Sequence, residues 1–239
     1  MDKGVTLVTG ASKGIGLAIA RHLLAQGQAV VGMARTLPAG AEFPFVTADL
    51  ADAAATAAAL AQVVADHRVL RLVNNAGFFL PASLDDATPQ ELDAMMALNL
   101  RAPLQAMQAV VPGMRAAGFG RIVNIGSRAA LGKPGRMLYG ASKAALVGLT
   151  RTAALELAGD GITVNCIAPG PVETEFFAAN NPPGTEQRRR FTAAIPTGRM
   201  GQPEEIAHAV AGLLDARAGY TTGQVLNICG GLTIGTAAF

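Results

Sequence analysis

Short apolar runs alternate along this chain with longer stretches of helical periodicity. The runs are Val5–Thr9, Gly27–Ala34, Phe45–Thr47, Leu70–Val73, Arg121–Ile125, Thr163–Ala168 and Gln224–Ile228. Each is too short for a helix and is bounded by glycine, proline or polar residues, so each reads as a buried strand. Between them lie helical patterns at Leu17–Gln26, Ala53–Ala65, Glu91–Met114, Tyr139–Leu157 and Pro203–Leu214. Thr88-Pro89-Gln90-Glu91 is a helix start: a threonine cap, proline in the first turn and glutamate at the third position. Gly159–Gly161 ends the long helix that begins near Tyr139. Strand and helix alternate with no linker and no repeat. That order predicts a doubly wound, mostly parallel sheet with helices on both faces, in a single domain over 1–239. The stretch 171–202 has no readable pattern. It is expected to be an irregular loop or lid over the C-terminal edge of the sheet.

Composition narrows the function. About half of the 239 residues are hydrophobic, few are charged and the net charge is only +2, which gives no electrostatic case for nucleic acid or an anionic membrane. No run of eighteen apolar residues suggests a membrane span, and the N-terminus shows no signal-peptide pattern. Cys166 and Cys229, the two cysteines, lie in strand-like runs and read as buried, reduced thiols of a cytoplasmic protein. His22, His67 and His208 are scattered without ligand spacing, so no metal site is expected.

The chemistry gathers at strand ends. After the first run comes Gly10-Ala-Ser-Lys-Gly14-Ile-Gly16, a glycine-rich turn between strand and helix. Such a turn lets the backbone approach a pyrophosphate placed at a helix N-terminus. The second strand ends at Ala34, where an acid usually grips the ribose hydroxyl of NAD; Arg35 follows, and Lys13 lies in the glycine turn. Absent acid and paired cations favour NADP(H) over NAD(H), because a guanidinium suits a 2′-phosphate. The alternative is two solvated surface cations. Asp49-Leu50 and Asn74-Asn-Ala-Gly77 also stand at strand ends, where ligands bind in such sheets. Asn99 is polar within an apolar helix and needs a partner.

Tyr139 and Lys143 are four apart, on one face of a helix. A phenol titrates near ~10, and bringing it to about 7 takes roughly 4 kcal/mol. One ammonium ~4 Å away supplies about that at an effective dielectric of ~20. The pair is therefore expected to form a general acid/base with a lowered phenol pKa.

Taken together, Thr9-Gly10-x-x-x-Gly14-x-Gly16, Asn74-Asn-Ala-Gly77, Asn99, Ser127, Tyr139-x-x-x-Lys143 and Pro169-Gly170 resemble the short-chain dehydrogenase/reductase family over essentially the whole chain. The resemblance implies a Rossmann-type seven-stranded sheet, hydride transfer between a nicotinamide and a carbonyl or secondary alcohol, and a homotetramer. It implies that Tyr139 exchanges the proton, Lys143 lowers its pKa and holds the nicotinamide ribose, and Ser127 bonds the substrate oxygen. Asn99 would hold a water linking Lys143 to solvent. The implied cofactor contacts are Gly10, Ser12, Lys13, Gly14, Ile15 and Gly16 in the turn, Arg35 beyond the second strand, and Asp49 and Leu50 at the adenine. Asn75, Ala76 and Gly77 would line the cofactor. Pro169, Gly170, Val172 and Thr174 would border the nicotinamide, with Thr174 on its carboxamide.

Much of the chain resembles the β-ketoacyl carrier-protein reductases. Members that dock a carrier protein tend to be basic at two places that here hold Gly118 and Asp160, although Arg115 or the run Arg188–Arg190 could substitute. That run otherwise reads as a solvated helix face. Gly230–Gly235 resembles NAD-linked dehydrogenases of cyclic alcohols and dihydrodiols, which are the alternative enzyme reading. A non-catalytic cofactor-binding regulator is the alternative of another class, and the presence of both Tyr139 and Lys143 weighs against it. Arg128, next to Ser127, either faces the substrate and favours an acidic or polar group, or serves packing or an ion pair. The apolar surfaces of Glu91–Met114 and Tyr139–Leu157 exceed what one sheet face needs, so these helices are expected to pair across subunits.

Overall fold

The computed structural model describes residues 4–234. Gly235, the last residue of the glycine motif at the C-terminus, lies outside them. The strands are β1 (Val5–Thr9), β2 (Val30–Ala34), β3 (Phe45–Thr47), β4 (Val69–Asn74), β5 (Gly120–Ile125), β6 (Ile162–Pro169) and β7 (Val225–Ile228). They form one sheet in the order β3-β2-β1-β4-β5-β6-β7. Every pairing is parallel, so the expected "mostly parallel" sheet is entirely so. Strand order reverses between β1 and β4, the crevice where such sheets bind ligands.

Alternation of side chains across the strands builds two cores. Leu7, Leu72, Ile122 and Val164 face one side, under α2 (Ala53–Asp66), α4 (Ala102–Ala117) and α5 (Met137–Leu157). Val8, Val73, Val123 and Ile167 face the other, under α1 (Gly14–Ala25) and α8 (Pro203–Leu214). With both faces covered, β2, β5 and β6 are buried at every position, as apolar runs without polar alternation require.

Three details differ from the sequence reading. The helix expected over Glu91–Met114 is α3 (Pro89–Met96), a π-helical segment Ala97–Arg101, and then α4. Pro103 is the reason: it has no N–H for the carbonyl of Asn99, and its ring crowds that carbonyl, so the ladder opens there. The α3 start is as expected, with Thr88 Oγ1 accepting from the Glu91 N–H at 3.2 Å and Glu91 Oε2 accepting from the Thr88 N–H at 3.1 Å. Second, 171–202 contains α6 (Glu175–Asn180) and α7 (Glu186–Ala193), with Val172 bridged to Gly201 at its base. Thr174 and Thr185 cap the two helices, a signal too brief to register in a polar stretch. Third, Cys229 lies one residue beyond β7. Both cysteines are buried and unpaired. No helix among the described residues is long and apolar enough to cross a membrane.

Candidate active site

The glycine turn is shaped by close approach. Gly10 has φ +67°, and a Cβ there would lie 2.8 Å from Asn75 Nδ2; one on Gly16 would lie 2.2 Å from the Gly10 carbonyl oxygen. Asn75 Nδ2 donates to the carbonyls of Thr9 (3.0 Å) and Gly10 (3.1 Å), while Thr9 Oγ1 accepts from the N–H groups of Asn75 and Ala76. The end of β4 is therefore a clamp on the turn rather than a plain loop. Lys13 sits at the cap of α1 with no side-chain hydrogen bond to the free N–H groups, and the first turn of α1 holds no acid. Open N–H donors, a surface that side chains cannot enter and a nearby cation fit a pyrophosphate. Gly14 lies against Thr174, whose methyl is 3.5 Å from where its Cβ would be.

The other cofactor candidates divide. Arg35 and Lys13 are exposed and make no ion pair to a described residue. Asp49 is exposed, with Oδ1 accepting from the Ala51 N–H at 3.0 Å. Leu50 is buried in the core below and reaches the crevice only through its backbone. Ser12 and Ile15 are half-buried in the turn. Pro169 ends β6, Gly170 donates its N–H to the Ile228 carbonyl, and a Cβ on Gly170 would lie 2.7 Å from Cys229 Cα. Val172 is buried at the base of the α6–α7 flap. Thr174 Oγ1 accepts from the Phe177 N–H, capping α6.

A buried polar chain fixes α5 against the sheet. Asn74 Nδ2 donates to Asn124 Oδ1 (2.8 Å), and Asn124 Nδ2 to Thr150 Oγ1 (2.9 Å), linking β4, β5 and α5. Tyr139 and Lys143 lie toward the N-terminal end of that helix, level with the C-terminal edge of the sheet. Lys143 is 4 % exposed and donates to the Ile125 carbonyl at 2.8 Å. Ser127, just past β5, faces the Tyr139 phenol closely enough to lower its pKa through a hydrogen bond, and accepts from the Ala129 N–H at 3.1 Å. Asn99 is fully buried in the π-helical segment. Its Nδ2 donates to the Phe78 carbonyl and to Ser142 Oγ, and its Oδ1 accepts from the Phe78 N–H, each at 3.0 Å. Ser142 in turn donates to the Tyr139 carbonyl at 2.9 Å. Asn99 thus finds its partners in protein groups, and holds the 78 loop and α5 together. A Cβ on Gly77 would meet Asn99 Oδ1 at 3.0 Å and Lys143 Nζ at 3.4 Å, so a larger residue would press on both side chains.

The expected electrostatics need correction. Burial pushes the Tyr139 phenol up from its ordinary value, while the Ser127 hydrogen bond and the charge of Arg136 pull it down. Lys143 is not among the groups that lower it. Its Nζ lies 5.8 Å from the phenol ring centroid and its ammonium is itself lowered by burial to about 8. Pairwise attraction favours the phenolate beside an ammonium, but burial disfavours the charged form of both groups and is the larger effect here.

Several site residues escaped the sequence reading. Ser142 was legible in principle, as a polar residue on the buried stripe Ser142-Leu146-Thr150-Ala154 of α5. Phe79, which packs edge-on against Tyr139 at 5.7 Å, and Arg136, stacked 3.4 Å over Phe79, are joined only by tertiary contact. In the arginine run, Arg189 and Arg190 are solvated and pair with Glu186, as expected of a helix face; Arg188 instead pairs with Glu173 and donates to the Asn181 carbonyl. A hollow of about 400 Å³ on the flap, lined by Gly184, Arg188, Arg189, Thr192, Ala193 and Gly198, contains none of the groups around Tyr139.

A parallel doubly wound sheet with a phosphate-shaped turn at its switch point defines a dinucleotide-binding α/β protein. Residues 10–233 match the family described as enoyl-(acyl carrier protein) reductase. The chain is 39 % identical to the 3-oxoacyl-[acyl-carrier-protein] reductase FabG of Vibrio cholerae, over 97 % of this chain and 98 % of that one. A candidate NAD(P)-dependent gluconate 5-dehydrogenase from Beutenbergia cavernae, solved with NADP at low occupancy, superposes with a TM-score of 0.90 at 36 % identity, covering 98 % of each chain. A 3-oxoacyl (acyl-carrier-protein) reductase from Agrobacterium tumefaciens, solved with NADP bound, gives 0.87 at 31 % identity, over 95 % of this chain and 93 % of that one. The chain belongs to the short-chain dehydrogenase/reductase family of oxidoreductases.

Proposed function

We propose that this protein is an NADP(H)-dependent oxidoreductase that interconverts a carbonyl and a secondary alcohol, with Tyr139 as general acid/base. The observation that carries the reading is the contact between Tyr139 and Ser127 beside buried Lys143, at the sheet edge next to the glycine turn. When bound, the nicotinamide supplies or accepts the hydride at the carbonyl carbon. In reduction, Tyr139 gives its proton to the carbonyl oxygen as the carbon–oxygen double bond becomes single. Its raised pKa keeps the phenol protonated at neutral pH, the form an acid requires. Ser127 donates to the developing phenolate or to the substrate oxygen, fixing the oxygen near the proton. Lys143, with one donor held by Ile125, has donors left for a ribose hydroxyl. Asn99 positions the 78 loop and α5, and its main-chain carbonyl, which Pro103 cannot serve as an α-helical donor, is the group to hold a relay water.

Gly10–Gly16 would hold the pyrophosphate, with Lys13 and Arg35 at the 2′-phosphate. Asp49 and the Leu50 backbone would meet the adenine, Asn75–Gly77 would line the cofactor, and Pro169, Gly170, Val172 and Thr174 would border the nicotinamide. The 171–202 flap would act as the lid of a single catalytic domain. Arg115 is already paired with Asp160 at 2.7 Å and Gly118 carries no charge, so this place offers an acidic carrier protein no unpaired cation, which favours a small-molecule substrate.

The test is nicotinamide absorbance change across a carbonyl and alcohol panel, with NADPH/NADP and NADH/NAD in parallel and Tyr139→Phe as control. Turnover with the phosphorylated cofactor that the substitution abolishes is the expected result; equal turnover by the variant would overturn the assignment. We further propose assembly into a homotetramer through α4 and α5. Leu104 on α4 and Leu155 on α5 are exposed, the latter by 84 %. Light scattering at micromolar concentration should show an oligomer, and a monomer would refute it.

A further inference from the structure

Three cations stand on the loop between Ser127 and Tyr139: Arg128, Lys133 and Arg136. The chain leaves the sheet at Ser127 and enters α5 just before Tyr139, whose phenol the Ser127 side chain faces. The loop is therefore closed at its base by the proposed catalytic pair. Its backbone is tied to the 78–88 loop by Met137 N–H to the Ala82 carbonyl (3.2 Å) and Ala82 N–H to the Gly135 carbonyl (3.3 Å).

All three cations are half-buried, and none has a side-chain hydrogen bond or an ion pair with a described residue. Aromatic faces hold two of them. The Arg136 guanidinium carbon lies 3.4 Å from the Phe79 ring centroid, and Phe79 meets the Tyr139 ring at 5.7 Å. Lys133 Nζ sits 4.9 Å above Phe191 on α7, so the flap closes onto this loop. A ring face orients a cation without using its N–H donors. Burial lowers the Lys133 ammonium most, and the charges of Arg136 and then Arg128 lower it further, so the three cations also oppose one another. Solvated surface charges avoid such proximity by spreading apart; three cations on one short loop, two of them oriented by ring faces and all with open donors, at the edge of the proposed reaction site, form a receptor for an anion.

We propose that the substrate is an organic acid, a ketone or secondary alcohol whose anionic group, carboxylate or phosphate, is held by Arg128, Lys133 and Arg136 while its oxygen lies at Ser127 and Tyr139. This rests on the carbonyl reductase reading and names its substrate class. The expected discrimination is about 10-fold or more for each well-placed charged hydrogen bond, less where solvent reaches the pair.

The experiment compares matched pairs with NADPH: acetoacetate, 4-oxopentanoate and 5-oxohexanoate against their methyl esters, and dihydroxyacetone phosphate against dihydroxyacetone. At least one anion should exceed its neutral partner by about 10-fold in kcat/KM, and which arm responds separates carboxylate from phosphate. The ratio should fall toward unity in the Arg128→Gln/Lys133→Gln/Arg136→Gln triple variant and partway in each single variant, which stand in if the triple does not fold. It should also fall with ionic strength. Neutral partners reduced as well as anions in every pair, or a preference that survives neutralisation, would overturn the proposal. If no carbonyl is reduced, the reductase reading fails separately, and thermal shift by glutarate and by inorganic phosphate then decides the subsite. A shift present in the natural protein and lost in the variants upholds it; no shift, or an equal one, refutes it.

Discussion

The two edges of the sheet both bury positive charge, and they treat it differently. At the N-terminal edge, Arg71 and Arg121 occupy paired positions on β4 and β5 and face the Phe119 ring at 5.1 and 4.4 Å. Arg121 donates to the carbonyls of Gly120, Gly161, Asp215 and Ala216, and Arg71 to that of Leu214. These guanidiniums close the end of α8 and its following turn, and Arg121 is 4 % exposed. At the C-terminal edge, Lys143 has one carbonyl partner, Lys133 and Arg136 have ring faces, and Arg128, Lys133 and Arg136 have no acceptor among the described residues. The same side-chain types are thus satisfied by the fold at one edge and left open at the other. On the proposed function, only the open edge has chemistry to do.

The largest effect expected from breaking this contrast is at Tyr139. Tyr139→Phe keeps the ring against Phe79 and removes the hydroxyl, so the fold should stand while kcat drops at least ~100-fold, the low end for losing a general acid/base. A rate within a few-fold of the natural protein would move the proton transfer to another group.

Next is the cost of holding Lys143 buried. Its ammonium titrates near 8 in the fold, against 10.5 ordinarily. Below pH 8 folded and unfolded chains both hold the proton, and its burial costs about 3 kcal/mol. Between 8 and 10.5 the unfolded chain binds more protons, so stability attributable to this group rises with pH, and above 10.5 the cost is gone. Lys143→Met should therefore be more stable relative to the natural protein at pH 7.5 than at pH 10.5, by about that amount in urea titrations. A pH-independent difference would show that the lysine is not strained by burial.

Arg121→Met should act in the opposite sense, costing about 2 kcal/mol because several buried carbonyls lose a charged donor together. Thermal unfolding should register the loss, while kcat at 25 °C stays within about 2-fold. A fall in kcat with unchanged stability would mean that the two edges are coupled.

How legible these edges are in the sequence follows from the distance over which each feature is written. The strands, the Thr88 cap and the glycine turn are specified by neighbours within a few residues, and the structure reproduces them to within about three positions. Tyr139, Lys143, Ser127 and Asn99 could be singled out from spacing and resemblance, and the fold brings them together. The break at Ala97–Arg101 was also written locally, in Pro103, but the apolar periodicity running through it masked it. What could not be read is whatever depends on burial or on partners far along the chain. The direction of the Tyr139 shift depends on desolvation; the stack of Arg136, Phe79 and Tyr139 joins two loops; Arg71 and Arg136 look alike until their acceptors are counted.

The smallest expected effect is at Arg35, and it sharpens the contrast by testing an open cation outside the catalytic pair. Arg35 follows β2 where the chain has Ala34 rather than an acid, is exposed, and has no ion pair with a described residue. On the proposed function its partner is an anion that arrives with the cofactor, and a 2′-phosphate distinguishes NADPH from NADH at that point. Because the group is exposed, solvent screening limits the gain, so Arg35→Ser should raise KM for NADPH by about 10-fold, or about 1.4 kcal/mol. KM for NADH and kcat with either cofactor should change less than about 2-fold, since the substitution removes binding that is equal in ground and transition states. Lys13→Gln should show the same pattern more weakly, because an ammonium offers no planar fork to the phosphate. Equal losses with both cofactors would place Arg35 at the shared pyrophosphate. No loss with either would leave it a solvated cation and remove the electrostatic case for NADP(H).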